Sequence, residues 1–408
     1  MNITEVVSRR ERRDFIDFPK HLYRDDPLWV CPLDSMIESV FDPLRNHSFR
    51  HGEAKRWILR DAGGKTTGRI AAFISLQRSA AQAQPTGGIG FFEVIDDQKA
   101  AFMLFDTARE WLSARGMEAI DGPINFGEND NYWGLLVDGF EQPVFGMPYN
   151  KRYYRSFFEN YGFRNYFEQY SQTRVIRDSE GRIIEFPERI MKIAGRITRR
   201  PGYSFRHFEF RNSHKFSSDM CEIYNSTWVF LKEDFTPLEP DAFTESMKRA
   251  RMIIDEELIW FAYHNEKPVG FFILLPDLNQ ILRHFNGRLN LWNMIRFIYY
   301  KSTHEIDRAR AIVGGIHHSY QNSGIESALF YHFYQAFKKR KWLKSLEFAW
   351  VGDYNPKMIA LYNALDTVRT KTHITYRYLI NDSLPFVRYK DEKNETEKSR
   401  DVTADREK

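Results

Sequence analysis

Between Ala311 and Tyr362 the chain gathers, in one order, residue types that bind anions and move protons. A strand pattern at Ala311–Ile316 leads into a polar turn (His317–Ser323), a helix (Gly324–Lys341), a second strand (Ser345–Val351) and a second helix from Asn355. The turn Gln321-Asn322-Ser323-Gly324-Ile325-Glu326 puts a glycine at a helix start. There the backbone approaches a ligand closely and unpaired N–H groups form an anion site. The proton-transfer groups nearby are His317 and His318 at the end of the first strand, Glu347 inside the second, and Tyr362 on the second helix. Each also has a structural use. Ser323 and Glu326 fit a capping box, Glu347 fits a lysine partner on a neighbouring element, and Tyr362 fits a packing position.

The elements that position these residues occur twice. A hairpin at Ala54–Arg60 and Arg69–Ser75, a strand at Gly87–Val94, a helix at Gln98–Arg115, a strand at Met117–Ile124 and a helix at Asn150–Tyr161 form the first set. A hairpin at Leu258–Tyr263 and Val269–Leu275, followed by the Ala311–Tyr362 stretch and a last strand at Thr372–Ile380, forms the second. This order predicts an α/β architecture with a mixed (α+β) sheet in each of two tandem domains. The boundaries are 1–175, a basic connector at 176–202, a second domain at 203–385, and a charged, disordered tail at 386–408. The two sets differ where it matters. The first has Asp96-Asp97 before its long helix, which cap a helix and repel phosphate, and Phe157 where the second has Tyr362. Chemistry is therefore expected in the second half.

Composition narrows the classes. In 408 residues, 42% hydrophobic and 28% charged content describe a globular protein, and a net charge of +4 gives no reason to expect nucleic acid. Two cysteines, Cys31 and Cys221, exclude a disulfide framework and a cysteine-rich metal site. No metal is expected, and a reducing cytoplasm is the natural compartment. Leu289–Tyr300 is amphipathic and mixes Trp292, Phe297, Tyr299 and Tyr300 with Arg288, Arg296 and Lys301. That mixture suits a membrane interface at the inner face, but such a helix more often covers a core, and the core-covering reading is favoured.

The turn with Gln321 and Gly324 resembles the acyl-CoA-binding signature of the GNAT acyltransferase superfamily, with Glu326 where that family has a small residue. Further stretches (Gly122-Pro123-Ile124-Asn125, Tyr149-Asn150, Tyr224-Asn225-x-x-Trp228, Lys267-Pro268-Val269-Gly270-Phe271 and Leu275-Pro276-Asp277-x-Asn279) resemble tandem-GNAT bacterial proteins, among them the bacterial ceramide synthases. The resemblance implies an acyl-CoA-dependent N-acyltransferase acting on a primary amine, with acyl-CoA or CoA as cosubstrate. It places the cofactor on Ile316, Gln321, Asn322, Ser323, Gly324, Ile325, Glu326 and Asn355, and implies that Tyr362 protonates the departing thiolate. Glu347 is the first candidate for the base that accepts the amine proton and His317 the second; Asn225 and Trp228 are candidates for acceptor contact. Two other readings use the same fold: a non-catalytic ligand-binding or scaffold protein, and an aminoacyl-tRNA-dependent transferase.

Overall fold

Both hairpins pair into the same sheet, which runs without a break from one half of the chain to the other. The computed structural model describes residues 1–82, 84–127, 131–228, 237–303 and 306–393. The first half contains β1 (Asn2–Glu5), α1 (Arg9–Leu22), α2 (Asp34–Val40), β2 (Gly52–Arg60), β3 (Thr66–Ser75), α3 (Leu76–Ala81), β4 (Thr86–Val94), α4 (Gln98–Ser113), β5 (Ala119–Gly122), β6 (Leu135–Asp138), α5 (Tyr154–Tyr161) and β7 (Arg164–Val175). The second contains α6 (Glu188–Ile197), β8 (Tyr203–His207), α7 (Ser213–Trp228), α8 (Pro240–Arg249), β9 (Ile259–His264), β10 (Lys267–Pro276), α9 (Asn279–Leu282), α10 (Leu291–Ser302), β11 (Arg308–Ile316), α11 (Ile325–Lys339), β12 (Ser345–Gly352), α12 (Pro356–Ala364) and β13 (Val368–Leu379). The end of the helix that the sequence predicts over Cys221–Phe230, the side chain of Trp228 and the chain beyond Lys393 lie outside the described residues.

The mixed α/β class read from the sequence is the observed one. Each half buries its long helix against the sheet for the reason its periodicity suggests. Leu104, Phe105, Ala108 and Leu112 of α4 pack on Ile70, Ala72 and Ile89, while Leu329, Phe330, Phe333 and Phe337 of α11 pack on Phe272, Leu346 and Phe348. Asp97 caps α4, its Oδ1 accepting the Lys99 and Ala100 N–H groups at 2.8 and 3.2 Å.

The sheet order is β1-β2-β3-β4-β5-β13-β7-β12-β11-β10-β9-β8, with β6 also paired to β13. The last strands of the two halves have thus changed places. β13, from the end of the chain, pairs with β5 of the first half, and β7, from the first half, pairs with β12 of the second. The two exchanged strands run antiparallel from Val368↔Thr173 to Arg377↔Arg164. The sequence reading contains no strand at β7, whose Gln169, Ser171, Gln172 and Arg174 are polar yet buried. Residues 386–393, assigned to a tail by composition, pack on the sheet instead: Tyr389 meets Tyr166 and Tyr354 edge to face and Phe167 at a tilt, and Arg388 pairs with Asp353 at 2.8 Å.

β13 carries a row of buried polar side chains along the seam, each with a partner. Lys371 Nζ donates to Glu347 at 2.8 Å, His373 Nε2 to Pro148 O at 3.2 Å, Thr375 to Gln169 Oε1 at 3.0 Å and Arg377 Nε to Asp121 at 2.7 Å. His373 is fully buried, its Nδ1 has no partner among the described residues, and burial pushes its pKa down to about 4. An unfolded histidine titrates near ~6.5, so between those values the unfolded chain takes up a proton that the folded chain refuses. The stabilisation is complete above about pH 6.5 and falls by about 3 kcal/mol as pH drops to 4. Denaturant titrations from pH 7 to 4 should show that loss, and His373→Gln should flatten it; an equally steep profile in the variant would assign the acid sensitivity elsewhere.

Candidate active site

The parallel pair β11 and β12 is joined only over Arg308–Ala311 and Ser345–Phe348. Beyond these residues β11 stays with β10 as far as Ile316↔Gly270, and β12 stays with β7 as far as Gly352↔Gln169. A wedge therefore opens between Ile312–Ile316 and Ala349–Gly352, at the C-terminal ends of parallel strands, where ligands of open α/β sheets enter.

The turn 317–324 and the start of α11 stand at the top of the wedge. Asn322 (φ 61) and Gly324 (φ 86) are left-handed, and Gly324 is the N-cap of α11. The capping box is not formed: Ser323 Oγ donates to Tyr320 O at 2.6 Å, and Gly324 provides no side chain to cap. Among the described residues, the N–H groups of Gly324 and Ile325 take no partner, which suits an anion at a fifteen-residue helix start. Glu326 lies half-buried in the same turn, and burial holds its carboxyl above the usual range, which favours its uncharged form. The glycine also has a packing reason. A Cβ on Gly324 would stand 2.6 Å from Ile193 Cγ2, because α6, within the stretch read as a basic connector, lies across the turn.

Asn355 caps α12, its Oδ1 accepting the Met358 N–H at 3.2 Å. Tyr362 is buried on the same helix with its ring 4.6 Å from that of Phe348, the last β12 residue paired to β11. The phenol therefore stands at the point where the strands part. Burial pushes its pKa up, so the phenol holds its proton more tightly than a free tyrosine does and yields it to a thiolate less readily.

Two expected bases are engaged elsewhere. Glu347 does not open into the wedge: it is buried against Lys371 Nζ at 2.8 Å, with Arg308 Nη1 at 3.6 Å. Arg308 also grips Asp277 at 2.7 Å, and Asp277 accepts the Phe145 N–H at 2.8 Å. Asn279 donates to Pro143 O at 2.9 Å. The stretch Leu275–Asn279 therefore docks the first half's loop onto the second half. His317 is half-exposed beside the wedge, and its Nδ1 accepts the Ser319 N–H at 3.3 Å. That bond places the proton of a neutral ring on Nε2, making it a donor. Burial lowers the His317 pKa, and so favours the neutral ring.

Asn225 is also occupied: its amide clasps Leu238, donating to O at 3.2 Å and accepting from N at 2.9 Å. Its helix is nonetheless beside the site, since Thr227 Oγ1 stands 3.4 Å from Ile316 O. Nothing in the sequence separates Thr227 from other helix threonines.

The first half has a wedge of its own. β4 and β5 pair over Thr86–Gly88 and Ala119–Asp121 and then diverge. A cavity of about 110 Å³ adjoins it, walled by Trp29, Cys31, Phe91, Tyr132 and Tyr149. Glu93 lines it; its Oε2 accepts Tyr23 OH at 2.7 Å and Tyr154 OH at 2.8 Å, and burial raises its pKa. Its signal in the sequence is a lone carboxylate inside an apolar strand.

No protein-family model matches the chain. It is 25% identical over 384 residues to protein YghO of Escherichia coli (strain K12), covering 92% of this chain and 94% of that one. It is 25% identical over 383 residues to bacterial ceramide synthase of Caulobacter vibrioides (strain NA1000 / CB15N), covering 92% and 97%. A tandem GNAT protein from the clavulanic acid biosynthesis pathway superposes with a TM-score of 0.53 at 11% identity, over 95% of this chain and 99% of that chain. A GCN5-related glucosamine N-acetyltransferase region of a fungal multi-domain protein gives 0.55 at 12% identity, over 92% of this chain and 38% of that chain.

The buried Lys371–Glu347 pair yields a stability prediction. Lys371→Met leaves a fully buried carboxylate with a share of one guanidinium, and should cost about 3–5 kcal/mol in urea unfolding. Adding Glu347→Gln should restore most of it. A single variant as stable as the parent would show that the pair does not hold the seam.

Proposed function

We propose that this chain, two GNAT-like domains in tandem, transfers an acyl group from acyl-CoA to a primary amine in its C-terminal wedge. The observation that carries the reading is the parting of β11 and β12 after Ala311 and Phe348, beneath a helix start with unpaired N–H groups. The turn Gln321–Glu326, flanked by Ile316 and Asn355, is assigned to hold the pyrophosphate arm. CoA supplies an activated carbonyl as a thioester. The amine attacks that carbonyl, the C–S bond breaks as the amide forms, and the thiolate takes the Tyr362 proton. The proton lost by the amine goes to solvent or to His317 after it releases the Ser319 N–H, and solvent returns a proton to the Tyr362 phenolate. The resemblance to bacterial ceramide synthase supports a long-chain acyl donor and a sphingoid-type lipid amine.

A second reading, a binding module without turnover, is favoured by Glu326, whose carboxyl stands in the turn that would receive phosphate. Acyl transfer from palmitoyl-CoA to sphinganine, followed by mass spectrometry, separates the two. Tyr362→Phe should lower turnover about a hundredfold or more with thioester affinity little changed. Unchanged turnover would remove Tyr362 from the chemistry; thioester binding without transfer to any amine would favour the binding module.

A further inference from the structure

α10 is turned inside out. The residues that form its apolar stripe at helical spacing, Leu291, Trp292, Ile295, Ile298 and Tyr299, face solvent, with Leu291, Trp292 and Tyr299 exposed by 77, 66 and 61%. Its buried positions are Asn293 and Phe297, and Phe297 packs on Ile281, Leu282 and Phe285. Leu289 and Met294 widen the exposed face, and Met252 adjoins it, its carbonyl accepting from Lys301 Nζ. The expectation that this helix covers a core is thereby corrected: it is held to the fold by its other side. A contiguous apolar face of this kind on a surface helix marks an interaction site.

We propose that α10 docks the protein on an anionic lipid bilayer. The charge around the face selects this partner. From Leu278 to Thr303 the sequence has Arg283, Arg288, Arg296 and Lys301 and no acidic residue. A second copy using the same face would bring two sets of cations together, whereas an anionic bilayer complements them. Trp292 and Tyr299 have the side chains that settle at headgroup depth, and Leu291, Ile295 and Ile298 reach into the acyl boundary. The face is also joined to the rest of the molecule at a useful place. Gly287, at the corner before α10, accepts the Asp34 N–H at 2.8 Å, and Cys31 and Asp34 wall the first-half cavity. The surface inference rests on the exposed helix and holds whatever group the wedge transfers.

Co-sedimentation with extruded phosphatidylglycerol vesicles, and with phosphatidylcholine vesicles as the neutral comparison, tests it. The parent should bind phosphatidylglycerol at least tenfold more strongly than phosphatidylcholine, and the preference should shrink at high salt. Ile295→Glu with Ile298→Glu should lower binding at least tenfold at an unchanged melting temperature, because both side chains are exposed. Trp292→Ala is a milder second variant, and Trp292 fluorescence should shift to the blue on vesicles. Failure to bind phosphatidylglycerol would overturn the proposal. So would a concentration-dependent dimer that the glutamate pair disperses, which would give the face to a second copy.

Discussion

The pairing of β7 with β13 is the constraint on which the rest of the molecule depends. Each is the last strand of its half, and each completes the other half's sheet. Neither half can then close its sheet from its own residues alone. The exchange brings Lys371, near the chain's end, against Glu347, and Arg377 against Asp121. Buried charges of this kind are costly unless paired, so the seam tolerates one register and penalises others. It also fixes where β12 lies, and hence where β12 leaves β11.

The wedge is shaped from both halves. Arg310 of β11 reaches Ala349 O across the wedge and also bonds Phe145 O of the first half's loop. On the opposite side α6 lies against Gly324. The turn 321–326 is therefore set by packing before any ligand is considered. This suits a site that must present N–H groups in a fixed geometry, because a preorganised dipole needs no rearrangement on binding.

Much of this was legible in the sequence. The two hairpins, α4, α11 and the strands beside them follow from apolar spacing, because each packs one face on a core. The exchanged strands were not legible. β13 was read as a final strand, but its pairing partners are set by residues far away in the chain, and β7 hides behind buried polar side chains such as Gln169 and Arg174. Glu347 shows a similar limit. Alternation identifies its face of β12 but not the lysine that meets it there. For α10 the sequence shows the stripe but not its direction, since an apolar stripe looks the same whether it faces a core or the outside. The likenesses to solved structures support the tandem GNAT fold, and the chemistry rests on the wedge.

The most direct test of an acyl-CoA site in that wedge is calorimetric titration with palmitoyl-CoA, acetyl-CoA and free CoA, for the parent and for Glu326→Ala. The account predicts that palmitoyl-CoA binds the parent, and that removing the carboxyl from the pyrophosphate turn strengthens binding of all three. Absence of binding by any of them, in both proteins, would contradict it.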